Sequence, residues 1–215
     1  MGIGAGGHAK VLIETLWLAG LFEVWGLLAA DPIIRGNLIM GIPVRGDDTL
    51  LPEIWKLGIR HAFMGIGSIR PDPLRRELFD RAQKVGLEMI QVIHPTAVIS
   101  TSALLGHGTV VMAGAIINAG AQIGDNVIVN TAAVIEHDCM VGDHAHVATG
   151  AVLAGGVRVL PGAHIGAGAT VRQGITVHAA ALVGAGAVVV RDVPPGVVVV
   201  GNPARALQGG LHPRS

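Results

Sequence analysis

Apolar residues recur along the second half of the chain with a spacing of six. From Ile93 the positions Ile99, Leu105, Val111, Ile117, Ile123, Val129, Ile135, Val141, Val147, Leu153, Val159, Ile165, Val171, Val177 and Val183 lead without a slip to Val189. Four residues after each aliphatic lies a second track that is mostly small, including Ala97, Ala115, Ala133, Cys139, Ala151 and Ala187. A period of six fits neither an amphipathic helix nor a plain strand. A large and a small inward residue in every hexapeptide predict short strands meeting at corners, with three faces to a coil of about 18 residues. The 17 hexapeptides make between five and six coils of parallel β-helix. Cys139, on the small track, is expected to be a buried and inert thiol.

Residues 1–92 follow another pattern. Gly2 to His8 is glycine-rich and leads into a predicted helix from Ala9 to Ala19, stopped by Gly20. Val24 to Leu28 reads as a strand. Thr49 to Leu57, with Asp47 and Asp48 as capping candidates and Gly58 at its end, reads as a second helix. Ala62 to Ile66 reads as a strand, Pro73 to Val85 as a third helix closed by Gly86, and Leu87 to Ile93 as a strand running into the first coil. Alternating strands and helices predict a small α/β domain with a parallel sheet. The glycines could cradle a phosphate at a helix N-terminus. A strand normally precedes such glycines, and Met1 leaves no visible room for one. The sheet is therefore expected to lack its first strand, unless the start lies upstream.

Composition narrows the classes. Lys plus Arg and Asp plus Glu both number 15, so no net field draws nucleic acid or an anionic membrane. No stretch approaches the roughly 18 apolar residues of a membrane span, and no secretory signal is visible. Cytoplasm is the expected location, and a single cysteine excludes an intramolecular disulfide framework. Glycine at 32 residues and aromatics at 3% agree with tight stacked turns around a core too narrow for rings.

Five segments carry a resemblance across nearly the whole chain: Gly4-Ala-Gly-Gly-His-Ala-Lys10, Gly65-Ile-Gly67, Ile93-His-Pro-Thr-Ala97, Asn130-Thr-Ala-Ala-Val-Ile-Glu-His-Asp-Cys139, and Gly201-Asn-Pro-Ala-Arg205. The chain resembles the sugar O-acyltransferases and N-acetyltransferases of the sialic-acid O-acetyltransferase type, which include enzymes acetylating UDP-4-amino-sugars and GDP-perosamine. The resemblance implies a Rossmann-like acceptor-binding domain (1–92), a left-handed parallel β-helix that uses acetyl-CoA (93–193) and a C-terminal tail (194–215), assembled as a homotrimer with sites between neighbouring helices. It implies His137 as general base with Asp138 as its acidic partner. An imidazole suits that task, because the attacking amine or hydroxyl must lose a proton near neutral pH. The two side chains can meet only if the chain turns between them.

By position, the resemblance also implies that His146 contacts the thioester end of acetyl-CoA. Ala167, Ala185 and the Gly155-Gly156 turn are then expected along the pantetheine arm, and Arg205 at a phosphate. Gly6, Gly7, His8 and Gly67 match positions that hold a nucleotide-sugar. Family members often carry two acidic residues after the second strand; Ala29-Ala30 stand here, and Asp31 is the residue left to substitute. His164 stacks on His146 at a distance of 18, as a ladder expected on the outer face, and His107 and His144 read as surface. No metal is expected. Two other readings stay open: a γ-carbonic-anhydrase-like zinc lyase using His137, His144 and His146, and a non-catalytic structural trimer. The residues choose neither the acceptor sugar nor amine over hydroxyl.

Overall fold

The computed structural model describes residues 1–68 and 73–207. Its second half is a three-sided prism. One face stacks the two-residue strands at 92–93, 110–111, 128–129, 146–147, 164–165 and 182–183, joined in parallel at a register of 18. The second face stacks 98–99 to 188–189 and the third 104–105 to 176–177. In each pair the second residue is the aliphatic of the repeat and points in, and the small residue precedes the next strand. Val147, Ile135, Cys139 and Ala145 are all 0% exposed. Cys139 donates its Sγ–H to the Ala154 carbonyl (3.2 Å), as a buried thiol of the inner track.

After the first two turns, the hexapeptides turn through a residue with positive φ. Between positions 108 and 186 every sixth residue does so: nine are glycine, and Asn126, Ala132, Asp138, His144 and Ala180 are not. Asn, Asp and His tolerate this region better than other side chains. The two alanines carry its steric cost without compensation.

The first half is an α/β domain with six strands. Strand β1 (Gly2–Ile3) is followed by helix α1 (Gly7–Ala19), β2 (Leu27–Leu28), β3 (Leu38–Ile39), β4 (Ile42–Gly46), α2 (Leu51–Lys56), β5 (His61–Met64), α3 (Pro73–Val85) and β6 (Glu88–Met89). The order across the sheet is β3-β4-β2-β1-β5-β6, and only β3 runs antiparallel. The expectation of a missing first strand is thus corrected. Gly2–Ile3 is the central strand, bonded to β2 on one side and β5 on the other. It escapes notice because two residues suffice before Gly4 turns the chain at φ 110. The β3–β4 hairpin was not foreseen either. Its Met40-Gly41 turn (φ 50 and 78) lacks the usual Asn-Gly signal, and Pro43 argues against a strand.

The helix foreseen from Thr49 splits into a 3₁₀ turn (Asp48–Leu50) and α2, with Asp47 Oδ1 accepting from Thr49 N–H at 3.0 Å. The strand foreseen from Leu87 to Ile93 also splits, since Glu88–Met89 closes the sheet while Val92–Ile93 opens the first coil.

Helix α1 joins the two halves. Its buried stripe of Ala9, Leu12, Ile13 and Leu16 is the i, i+3, i+4, i+7 pattern of a helix with one apolar face. Leu12, Ile13 and Leu16 share a core with Leu27 and Phe63 of the sheet and with Val92, Val110 and Ile128, the outward residues of the first β-helix face. A second tie comes from α3: Arg75 donates to the carbonyls of Ile66 (2.9 Å) and Asn126 (2.5 Å). Phe79 lies against the edge of the His144 ring (5.8 Å), so His144 is half-buried and not the surface residue expected. No helix among the described residues is long and apolar enough to cross a membrane.

Ala180 is exposed at φ 54. Replacing it with glycine removes the left-handed steric cost, offset in part by the extra freedom of unfolded glycine. Ala180→Gly is expected to stabilise the fold by about 0.5–1 kcal/mol, read as a raised urea midpoint.

Candidate active site

The corner between the second and third faces carries the Glu136-His137-Asp138-Cys139 segment. Asp138 occupies the left-handed turn position (φ 59), and this turn brings the two neighbouring side chains together. His137 Nδ1 lies 2.9 Å from Asp138 Oδ2. The hydrogen bond to Asp138 raises the His137 pKa, opposed by partial desolvation and reinforced by the charges of Asp138 and Glu136. Because Nδ1 faces the carboxylate, Nε2 is the nitrogen left to take a proton. The ring is exposed and lies over Gly155 of the next coil.

His146 has the opposite environment. Outward residues of the first face run Val92, Val110, Ile128, His146, His164, so the two histidines continue the apolar row that α1 covers. The predicted stacking is present, with ring centroids 4.8 Å apart and edge-on. The expected outer-face ladder is corrected: both are only 8% exposed, because the first domain packs over this face.

His146 Nδ1 donates to the Ser68 carbonyl at 2.6 Å, and Nε2 accepts from Asn130 Nδ2 at 3.2 Å. Asn130 is held in turn by its Oδ1, which accepts from Thr131 N–H (2.8 Å). Both ring nitrogens of His146 are therefore engaged within the chain. Burial, with the neighbouring His164, depresses its pKa to about 3. Asn130 and Ser68 were missed as site residues; only the tertiary contact reveals them.

The first domain opens a cavity of about 300 Å³ at the C-terminal ends of β1 and β2, where ligands of such sheets bind. Gly6, Asp31, Ala29 and Ala30 line it, together with Ile34, Asp48, Leu74 and Leu78. Its walls are mostly apolar. Asp31 Oδ1 accepts from Ile33 N–H (2.9 Å), which leaves its other oxygen toward solvent, and Asp48 pairs with Arg81.

Gly6 and Gly7 are exposed at the start of α1, with open space where a side chain would be. His8 follows, and a Cβ at Gly67 would lie 3.2 Å from the His8 Cβ, so these two positions touch. Burial, then the Arg75 charge, lowers the His8 pKa to about 4. Its Nε2 is buried without a hydrogen-bond partner among the described residues.

The remaining positions sit elsewhere on the prism. Ala167 and Ala185 are exposed one above the other on the corner between the first and second faces, linked by Gly186 N–H to the Ala167 carbonyl (2.8 Å). Arg205 lies on the final hairpin, exposed and donating to its own neighbour's carbonyl, Ala204 (2.9 Å). Within one chain, His137 is on the edge opposite the face that carries His146. One copy does not bring them into one cleft. Among the described residues no group of three or more His, Cys, Asp or Glu is arranged to hold a metal ion.

The comparisons agree with this architecture. Residues 3–82 match the family model of the PglD N-terminal domain, and residues 120–155 that of the bacterial transferase hexapeptide of six repeats. The chain is 44% identical to GDP-perosamine N-acetyltransferase from Caulobacter crescentus, over 96% of this chain and 95% of that one, with a TM-score of 0.91. That protein was solved as a histidine-to-alanine variant with CoA and GDP-perosamine. It is 38% identical to the acetyltransferase domain of PglB from Neisseria gonorrhoeae, over 96% and 97%, with a TM-score of 0.87; that domain was solved with acetyl coenzyme A. WeeI from Acinetobacter baumannii, at 23% identity and a TM-score of 0.61, shares the fold. No protein with a curated description matches the chain. The chain belongs to the hexapeptide-repeat sugar N-acetyltransferases, whose α/β domain precedes a left-handed β-helix. It is an acyltransferase.

The buried histidines set an acid limit on the fold. Their folded pKa values, about 3 for His146 and about 4 for His8, lie below the ordinary 6.5, so protons bind the unfolded chain first. Stability is complete above the unfolded value and is lost as pH falls below it. Between about pH 7.5 and pH 5 the His146 contribution falls by about 2 kcal/mol. His146→Gln should shrink the pH-induced drop in unfolding free energy, read by urea titration, by about that amount; an unchanged drop would contradict a neutral buried His146.

Proposed function

We propose that this chain transfers the acetyl group of acetyl-CoA to the amine of a nucleotide-linked amino-sugar, with His137 as general base. The observation that carries this reading is the His137–Asp138 pair: a turn-imposed hydrogen bond at Nδ1 that leaves Nε2 open. The amine nitrogen attacks the thioester carbonyl carbon, and Nε2 takes the proton that the nitrogen sheds. Collapse of the tetrahedral species breaks the C–S bond, and the imidazolium returns the proton to the leaving thiolate. Free CoA and the N-acetyl sugar result. Asp138 stabilises the imidazolium and fixes the ring.

The acceptor's nucleotide is assigned to the cavity of the first domain, which Gly6 and Asp31 line, and Gly7, His8 and Gly67 are assigned to the same acceptor. The chain's relatives were solved with GDP-perosamine and with acetyl coenzyme A, which supports both halves of the assignment. His146, Ala167, Ala185 and Arg205 are assigned to the CoA side. His137 and His146 occupy opposite sides of one prism, so a shared site needs a second copy. We assign a homotrimer, as the sequence resemblance implies, acting in the cytoplasm. The outward row of Val98, Ile116, Val134, Val152, Thr170 and Val188 on the second face offers largely apolar surface for such packing.

The test is thiol release from acetyl-CoA across a panel of GDP- and UDP-linked 4-amino-sugars. Turnover is expected with at least one, and His137→Ala should lower kcat by about 10²–10⁴-fold with the fold intact. Because the Asp138 hydrogen bond raises the His137 pKa, Asp138→Asn should move the acidic limb of the kcat/KM profile to lower pH as well as slowing the plateau. Bound acetyl-CoA with no CoA release on any acceptor would overturn the reading.

A further inference from the structure

From 107–108 to 185–186 each turn of the β-helix has two positions, and their demands differ. The second takes the left-handed conformation; the first does not. From 107 to 185 that first position, read every sixth residue, carries His, Ala, Asp, Thr, Pro or Gln everywhere except at Gly155. The φ of Gly155 lies outside the left-handed region, so its backbone imposes no need for glycine.

What the position does require is space. A Cβ built on Gly155 would lie 2.6 Å from His137 Nε2 and 2.7 Å from its Cε1, far inside contact distance. The reason is the 18-residue register, which stacks Gly155 directly on His137, with Gly156 N–H donating to the His137 carbonyl at 2.9 Å. On the other side, a Cβ on Gly120 would lie 2.7 Å from Asp138 Oδ1. Gly120 also has φ 71, so its backbone already calls for glycine and it does not isolate the steric effect.

We infer that Gly155 is a positioning residue for the base, resting on the transferase reading above for its catalytic consequence. Its missing side chain lets the imidazole lie on the next turn with Nδ1 on Asp138 and Nε2 clear for the acceptor. A methyl group there would overlap the ring and swing it off Asp138. This role differs from contact with the pantetheine arm, which would be felt in acetyl-CoA binding.

Gly155→Ala is the test, made in the full chain. The ring is exposed and free to move, so the variant should keep its melting temperature. kcat is expected to fall by about 100-fold, within the range of a lost general base, while the KM for acetyl-CoA changes by less than about threefold. The imidazole pKa of His137, followed by NMR and assigned with His137→Ala, should drop as the Asp138 hydrogen bond is lost. In the His137→Ala background the same substitution should cost less than about twofold, since the two act through one ring.

If Gly155→Ala alone fails to fold, the double variant should fold, because the clashing ring is gone; an unfolded double variant overturns the inference. So does an unchanged His137 titration, or a loss confined to the KM for acetyl-CoA. A shifted titration in a protein whose wild type releases no CoA leaves the positioning role intact and overturns the transferase reading instead.

Discussion

Closure of the coil is the constraint on which this molecule depends. Three short strands and three corners must return the chain to the same place after 18 residues, displaced by one strand spacing. Each face admits one large inward aliphatic, each corner one small residue, and each turn one left-handed position. The register that closes the core also stacks the exterior. Positions 18 apart become neighbours, which is why His137 rests on Gly155 and His164 packs on His146.

That exterior is then divided by docking. The first domain covers the upper part of one face through α1, and the apolar row Val92, Val110, Ile128 runs directly into the histidine pair. Burial makes His146 neutral and engages both of its nitrogens, one with Ser68 and one with Asn130. His137 stays in solvent and gains basicity from Asp138. The same side chain is thus prepared for opposite duties, one as a fixed element between domains and one as a proton acceptor.

The placement of these groups around the prism bears on assembly. His137 and Gly155 share one corner, Ala167 and Ala185 another, and His146 the face opposite the first. A reaction that uses all of them brings together different sides of different copies, so the transferase reading and the oligomeric reading depend on each other.

Much of this was legible in the amino-acid order, because the coil is built from local repeats. The period of six gave both inward tracks, placed Cys139 inside and stacked His146 on His164. The Glu136 to Cys139 segment pointed to the pair that the Asp138 turn joins. Strand β1 was not legible, since two residues carry no periodicity, and neither was the hairpin with Pro43 inside it. The burial of His146, the half-buried His144 and the bonds from Ser68 and Asn130 belong to the tertiary structure alone. The Ser68 bond joins residues 78 positions apart as one domain docks on another, and the Asn130 bond joins adjacent coils 16 residues apart, off the 18-residue register, so no local pattern encodes either. Gly155 lies between the two cases. The repeat makes it the one glycine in its phase, yet only the stacked ring of His137 explains why a side chain is absent there.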